Sequence, residues 1–495
     1  MFKRSSGVLA HVTSLPSPHG VGTMGKTARD FVDFLAAAHQ TYWQVLPLGH
    51  TGFGDSPYQC FSAAAGNPYL IDMDLLVEDG LLTADEVRQG DFDASPDTAD
   101  FEQLADTRWP LFRKAYSRVT PEMCEEIAAF TEKNSEWLPD YALFMALKEE
   151  KYHHMPVYMW PDKDVRDRKP AALEKVTAEL RDEVDFRIFL QYIFFKQWTA
   201  LREYANEKGI QIIGDIPIYV SADSSDVWTH PKLFKLKPDR SPKLVAGVPP
   251  DYYSATGQLW GNPVYNWAAH KAENYAWWIW RMKSNMALFD VVRLDHFRGF
   301  ASYWSIPAGE KTAKNGKWCK GGGIDFINAM KAEFPDAEII AEDLGVLGDD
   351  VRTLLRQSGF PGMKVLEFAF DGDEPSDYLP HRYERNCVCY LGTHDNDTAL
   401  GWLSSAKEET AAYASRYFGL NKEEGEVWGL IRGGMASRAD LFIAQMQDYL
   451  GLDSSARMNT PGEQCGNWSW RMKKGAATPA LAKKISAMAK MYERA

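Results

Sequence analysis

Short apolar runs recur along the chain, and several of them end on an acidic residue. Residues 210–221 read IQIIGDIPIYVS, 290–300 DVVRLDHFRGF, 338–345 EIIAEDLG and 387–397 CVCYLGTHDND. Near-continuous Val/Ile/Leu runs, rather than alternating ones, mark parallel strands buried on both faces. In a closed (β/α)8 barrel the chemistry stands where such strands end, at the C-terminal mouth. The pattern therefore predicts a parallel barrel with carboxylates gathered at one end.

Following the runs gives the order of elements. Residues 7–12 (GVLAHV) and 42–46 (YWQVL) are the first two strands. Between them Phe31, Phe34, Leu35 and Ala38 fall at helical spacing over 28–38. The third strand is 210–214, the fourth 291–294 and the fifth 339–341. The sixth is near 364–368, the seventh 388–391 and the eighth within 439–445. From 70 to 185 the chain turns charged and helix-forming (TADEVRQ, PEMCEEIAAFTEK, ALFMALKEEK), and a helix over 187–208 leads back. The fold class is thus α/β, a (β/α)8 TIM barrel with a mainly helical insertion after strand 2 and loop insertions over the C-terminal mouth. The expected division is 1–69 for strands 1–2, 70–185 for the helical insertion and 186–220 for strand 3. Residues 221–275 form a loop subdomain dense in aromatics. Residues 276–495 hold strands 4–8 and a C-terminal helix, with no C-terminal β-sandwich domain.

The totals narrow the class of function. A length of 495 residues holds a barrel of roughly 250 residues plus insertions. With 45% hydrophobic residues the chain has ample core, which excludes disorder. A net charge of −13 argues against nucleic acid or an anionic membrane as partner. No run approaches the roughly 18 apolar residues of a membrane span. The first residues, MFKRSSGVLA, lack the apolar core of a signal peptide. A cytoplasmic location is expected. Cys60, Cys124, Cys319, Cys387, Cys389 and Cys465 show no CxxC spacing and are expected to be buried or partly buried thiols.

Three acids carry the chemical reading. Asp295, Glu342 and Asp395 stand at the ends of the fourth, fifth and seventh runs. Two carboxyl groups flanking a glycosidic bond are the minimum for its cleavage. One acts as nucleophile or base; the other starts protonated, its pKa raised by burial or a like charge. A third can hold the sugar. Arg293 lies two residues before Asp295, on the same strand face, where a cation keeps the nucleophile ionised. His296 and His394 are candidate donors to sugar hydroxyls. Any one of these acids could instead be a helix cap or a turn residue; their joint occurrence favours function. His394, Asp395 and Asp397 could suggest a metal site but lack an HxH or HExxH companion, so no metal is expected. No organic cofactor is expected either, because a side chain can carry the covalent intermediate.

With those residues in place, RLDHFRGF, AEDLG and THDND resemble the nucleophile, acid/base and stabiliser segments of the α-amylase superfamily. SGVLAHVTSLPSPHGVGTMG, GDIPIYVSADSSDVW, PPDYYSATGQLWGNPVYNW, GMKVLEFAF and ARMNTPGEQCGNWSWRM resemble segments of the amylomaltases, the 4-α-glucanotransferases or disproportionating enzymes. The resemblance runs from 6 to 472 and is weakest in the helical insertion. It implies retaining double displacement, with Asp295 as nucleophile, Glu342 as general acid/base and Asp395 as transition-state stabiliser. It implies that Asp215, Arg293, His296 and His394 line the donor subsite. Tyr58, Asp251, Trp260 and Asn262 would contact glucan at or beyond the scissile bond. The implied partners are maltooligosaccharides and α-1,4-glucans, with glucose as acceptor. The segment 249–267 is the candidate lid that keeps water from the intermediate. The competing activity is an α-glucan hydrolase of the α-amylase type, which would use the same acids with water as acceptor. A non-catalytic glucan-binding protein is disfavoured because all three acids are present.

Overall fold

The computed structural model describes residues 2–90, 92, 95–250, 254–345, 347–371, 376–463 and 465–495. Its strands, in chain order, are β1 (Ser5–Leu9), β2 (Tyr42–Gln44), β3 (Gln211–Ile216), β4 (Leu244–Val248), β5 (Gln258–Pro263) and β6 (Val291–Leu294). They continue with β7 (Ser302–Pro307), β8 (Lys317–Lys320), β9 (Glu338–Ala341), β10 (Gly362–Val365), β11 (Cys387–Tyr390) and β12 (Leu441–Gln445). Eight of them form one parallel sheet in the order β10-β11-β12-β1-β2-β3-β6-β9. The Ala341 N–H at the end of β9 donates to the Pro361 carbonyl just before β10 at 2.9 Å, which brings the two outer strands together. The result is the expected (β/α)8 barrel.

The strands behave as the apolar runs require. Every residue of β1, β6, β11 and β12 is buried, because helices cover the outside and side chains fill the inside. Register then aligns the strand ends. Asp215 of β3 pairs with Arg293 of β6, and Leu294 of β6 pairs with Ala341 of β9. The residues that follow, Asp295 and Glu342, therefore leave the sheet at one level. The sixth barrel strand begins and ends earlier than expected, because Leu366–Ala369 is a 3₁₀ turn. The apolar run VLEFAF continues past the end of β10, so hydrophobicity alone cannot locate that end.

Between β2 and β3 the chain forms helices, the longer ones being Phe101–Tyr116, Pro121–Lys133, Leu138–Ala146 and Pro170–Glu179. The first two start at the side-chain caps Asp100 and Thr120, which satisfy N–H groups the first turn leaves open. The returning helix spans Arg181–Glu207, longer at its start than the expected 187–208. Trp137, Leu138, Phe144, Trp160 and Trp228 form a satellite core here.

The second excursion differs from a loop. β4 and β5 pair with β7 and β8 in an antiparallel sheet of order β5-β4-β7-β8. Half of that sheet comes from residues after β6, beyond the expected boundary at 275. Trp304 bridges the two halves, opposite Gly247 on one side and Trp318 on the other. Two of the six thiols, Cys124 and Cys465, are exposed, against the expectation that all are at least partly buried. Among the described residues no helix is long and apolar enough to cross a membrane.

The closed end of the barrel is sealed by Arg494, which is fully buried. Its guanidinium donates to the carbonyls of Met435, Ser5, Asp440, Ser437 and Ala439 at 2.7–3.2 Å. Arg494→Ala would remove five donated hydrogen bonds from this buried site, where only Arg4 and the Ser5 N–H would still donate to the Met435, Ser437, Ala439 and Asp440 carbonyls, and is expected to cost about 3 kcal/mol or more. The check is a fall in the urea midpoint at unchanged activity per folded molecule, because the mouth is at the opposite end.

Candidate active site

The acids extend the barrel ladder by one residue each. The Asp295 N–H donates to the Ile216 carbonyl at 3.0 Å, and the Glu342 N–H to the Leu294 carbonyl at 3.0 Å. His296 then adopts a left-handed backbone, φ 48°, uncommon for a residue with a side chain. That turn starts the short helix Arg298–Ala301 and directs the His296 N–H onto Glu342 Oε2 at 2.7 Å. The Leu344 N–H donates to Glu342 Oε1 at 2.7 Å. Backbone thus grips the Glu342 carboxyl from both sides.

Arg293 organises the other acids. Its Nη1 donates to Asp295 Oδ1 at 3.0 Å and to Asp215 Oδ2 at 2.6 Å. Tyr58 Oη donates to the same Asp215 oxygen at 2.8 Å. Asp215 is only 1% exposed; its Oδ2 anchors Arg293 and Tyr58, while its Oδ1 is buried without a protein partner. Burial pulls Arg293 down, but Asp215 and Asp295 more than reverse this and hold it well above the usual range. It is a fixed cation.

The electrostatics separate the two principal carboxyls. Burial pushes Glu342 up to about 7; Arg293 opposes this and the charge of Asp295 adds to it. Burial also lifts Asp295, with Arg293 as the strongest opposing influence. Glu342 receives only N–H dipoles, whereas Asp295 touches a guanidinium. Where one proton is shared between them, it resides on Glu342.

Asp395 is in the turn beyond β11. Asn459 Nδ2 donates to its Oδ1 at 2.6 Å, and Arg457 Nη2 donates to its carbonyl at 2.7 Å. His394 Nε2 is 3.5 Å from Asp395 Oδ2. The His394 ring stacks on Tyr58 at 5.1 Å and 15°, with Trp468 against both rings. Burial lowers the pKa of His394 and brings His296 to about 3, so both imidazoles are neutral and each carries one N–H to donate. His394 Nδ1 is buried without a protein partner.

Trp260 of β5 lies edge-on to His296, ring centroids 4.8 Å apart. Asn262 is 5% exposed; its Nδ2 donates to the Val220 carbonyl at 2.9 Å, and its Oδ1 accepts from Gln59 Nε2 at 3.1 Å. It pins β5 to the barrel and presents no free amide. Asp251 lies outside the described residues, as do its neighbours at 252–253 in the candidate lid. The rest of that segment includes β5, entered through Gly257 at φ 67°, where a Cβ would sit 2.4 Å from the Val248 carbonyl oxygen.

The reading of the chain did not single out Arg457, Asn459, Trp468 or Gln59 as site residues. The signal for the first three was the segment ARMNTPGEQCGNWSWRM, dense in polar and aromatic residues after the last strand. Nothing local marked Gln59 as the partner of Asn262.

Comparison with known proteins identifies the family. Residues 10–478 match the family described as 4-alpha-glucanotransferase. The 4-alpha-glucanotransferase of Clostridium butyricum is 48% identical over 487 residues, 98% of this chain and 99% of that protein. That of Thermus thermophilus is 46% identical over 502 residues, covering 99% of each. The amylomaltase from Streptococcus agalactiae, solved in complex with acarbose, superposes with a TM-score of 0.97 at 42% identity, over 99% of this chain and 100% of that one. The chain belongs to the 4-alpha-glucanotransferase family.

Proposed function

We propose that the mouth of the barrel performs this transfer by double displacement, with Asp295, Glu342 and Asp395 in distinct roles. The observation that carries the assignment is the unequal setting of two neighbouring acids: Asp295 in direct contact with the Arg293 guanidinium, Glu342 buried and held by backbone N–H groups, with Arg293 acting on it only from a distance. An Asp295 oxygen attacks C1 of the donor sugar. Glu342 gives its proton to the departing 4-oxygen, and the C1–O4 bond breaks. The acceptor's 4-hydroxyl then returns a proton to the Glu342 carboxylate while its oxygen displaces Asp295 from C1. Two inversions give net retention. Asp395, fixed by Asn459 and beside His394, holds ring hydroxyls and favours the oxocarbenium-like transition state.

The proposed substrates are maltooligosaccharides and longer α-1,4-glucans, with glucose as the smallest acceptor. Acarbose, held by the Streptococcus agalactiae enzyme, is expected to bind the same mouth here. The six free thiols fit action in a reducing compartment such as the cytoplasm.

The test is incubation with pure maltotriose and chromatography of the products. A ladder of longer oligosaccharides with released glucose is expected, at a constant number of reducing ends. Glucose and maltose with rising reducing ends would make water the acceptor and favour the hydrolase. Trp260→Ala removes the ring edge-on to His296 and a stacking face for sugar. It is expected to raise KM for maltotriose about tenfold and to raise the ratio of hydrolysis to transfer. Unchanged values of both would exclude Trp260 from the glucan path.

A further inference from the structure

Behind the turn that carries His394 and Asp395 lies a group of acids with no part in the steps above. Glu367 follows β10, Asp397 lies in the turn after β11, and Asp448 follows β12. Glu367 and Asp448 are 4% and 1% exposed. Asp448 Oδ1 accepts from the Ala399 N–H at 2.8 Å, while Asp448 Oδ2 and Glu367 Oε1 are buried without a partner. Asp397 is satisfied by the Thr398 N–H and by Ser454 Oγ. Glu367 Oε1 presses on the turn itself. A Cβ at Gly392 would sit 2.9 Å from it, 3.2 Å from Asn396 Cβ and 3.4 Å from the Asp397 carbonyl oxygen. Carboxyls from the strands on either side of β11 thus bracket the segment that bears the proposed stabiliser.

Two buried carboxylates on either side of one turn, each with an oxygen that no protein group satisfies, would repel and pay full desolvation. A single proton on the pair removes one of the two charges. We propose that Glu367 and Asp448 share one proton, and that the neutral acid so formed is the strut that positions the turn carrying His394 and Asp395. Both are positioning residues; neither reaches the sugar. The surrounding charges agree. Burial raises Glu367 well above the usual carboxylate range, with Asp448, Asp397 and Asp371 adding to the effect and Arg457 opposing it. Burial brings Asp448 to about 7, with Asp397 adding; the backbone N–H groups of Ala399 and Gln445 oppose it. Arg457 donates to the carbonyls of Asp395 and Asn459, so it is committed to the same turn.

The inference rests on the role proposed for Asp395, and the test keeps the two apart. Wild type, Glu367→Gln, Glu367→Ala and Asp395→Asn are compared in the full chain. Glutamine mimics the neutral acid in size and in having a donor, so kcat on maltotriose at neutral pH should stay within about threefold. Glu367→Ala should lose about 10²-fold through misplacement of the turn. In infrared difference spectra, wild type minus Glu367→Gln should show a protonated-carboxyl band at neutral pH. An acid whose folded pKa is raised stabilises below its unfolded pKa and loses that contribution as pH rises. The thermal midpoint of wild type should therefore fall more steeply from pH 5 to 8 than that of Glu367→Gln. Absence of the band, or equal slopes, overturns the shared proton. A Gln variant as impaired as the Ala variant overturns the neutral strut. Asp395→Asn should abolish turnover yet keep the band and the slope; if turnover survives there, the role of Asp395 fails while the shared proton stands.

Discussion

Asp295→Asn is expected to lower turnover on maltotriose by about 10⁴-fold or more while leaving the fold and donor binding intact. An amide is no nucleophile at C1, so the covalent intermediate cannot form. The substitution should be structurally mild, because the asparagine oxygen can still accept from Arg293 Nη1, and Arg293 remains anchored on Asp215. The loss should appear in kcat, with donor affinity changed only a few-fold by calorimetry. Intact-mass spectrometry with a slow donor should show a glycosylated wild type and an unmodified variant. Loss of Asp295's charge also removes a raising influence on Glu342 and Asp215, so both should ionise at lower pH in the variant. Residual turnover within about 10² of wild type would remove Asp295 as nucleophile.

Glu342→Gln carries the second largest effect, about 10²- to 10⁴-fold on maltotriose. Here the loss should depend on the leaving group. A maltosyl fluoride donor needs no proton to depart, so formation of the covalent intermediate should recover with it. Transfer to a sugar acceptor should stay slow, because no base remains to take the 4-hydroxyl proton. The pH profile gives an independent check. Glu342 must be protonated for the first step, and burial sets its pKa at about 7. In wild type, kcat/KM should fall about tenfold per pH unit above that value. In the variant that limb should be absent. A fluoride donor that fares no better than maltotriose would sink the assignment.

The two effects have one origin. Arg293 stands beside Asp295 and away from any direct contact with Glu342, which separates two acids that burial alone would treat alike. Arg293→Ala should therefore blunt the distinction and lower kcat more than it changes donor binding.

Much of this molecule was legible along the chain, because the relevant signals are local. A buried parallel strand has to be apolar wherever it is, so the runs marked the barrel strands and their order. Asp295, Glu342 and Asp395 were visible because each sits where a run stops, and Arg293 because alternation puts it on the face of Asp295. Other features required the tertiary structure. The antiparallel sheet joins β4 and β5 to β7 and β8 across the whole of β6, and no local period reports a pairing at that distance. That Asp215 holds Arg293 and Tyr58, and that Asn262 pairs with Gln59, came only with the fold. Asn459 reaches Asp395 only because the chain after β12 returns over the mouth. Protonation depends on the same long-range packing. Whether Glu342 or Glu367 holds a proton is set by how much water and how many charges surround it, and those neighbours come from strands far apart in sequence. The chain specified which residues could do the chemistry; burial and contacts between distant segments decided how each of them is held and charged.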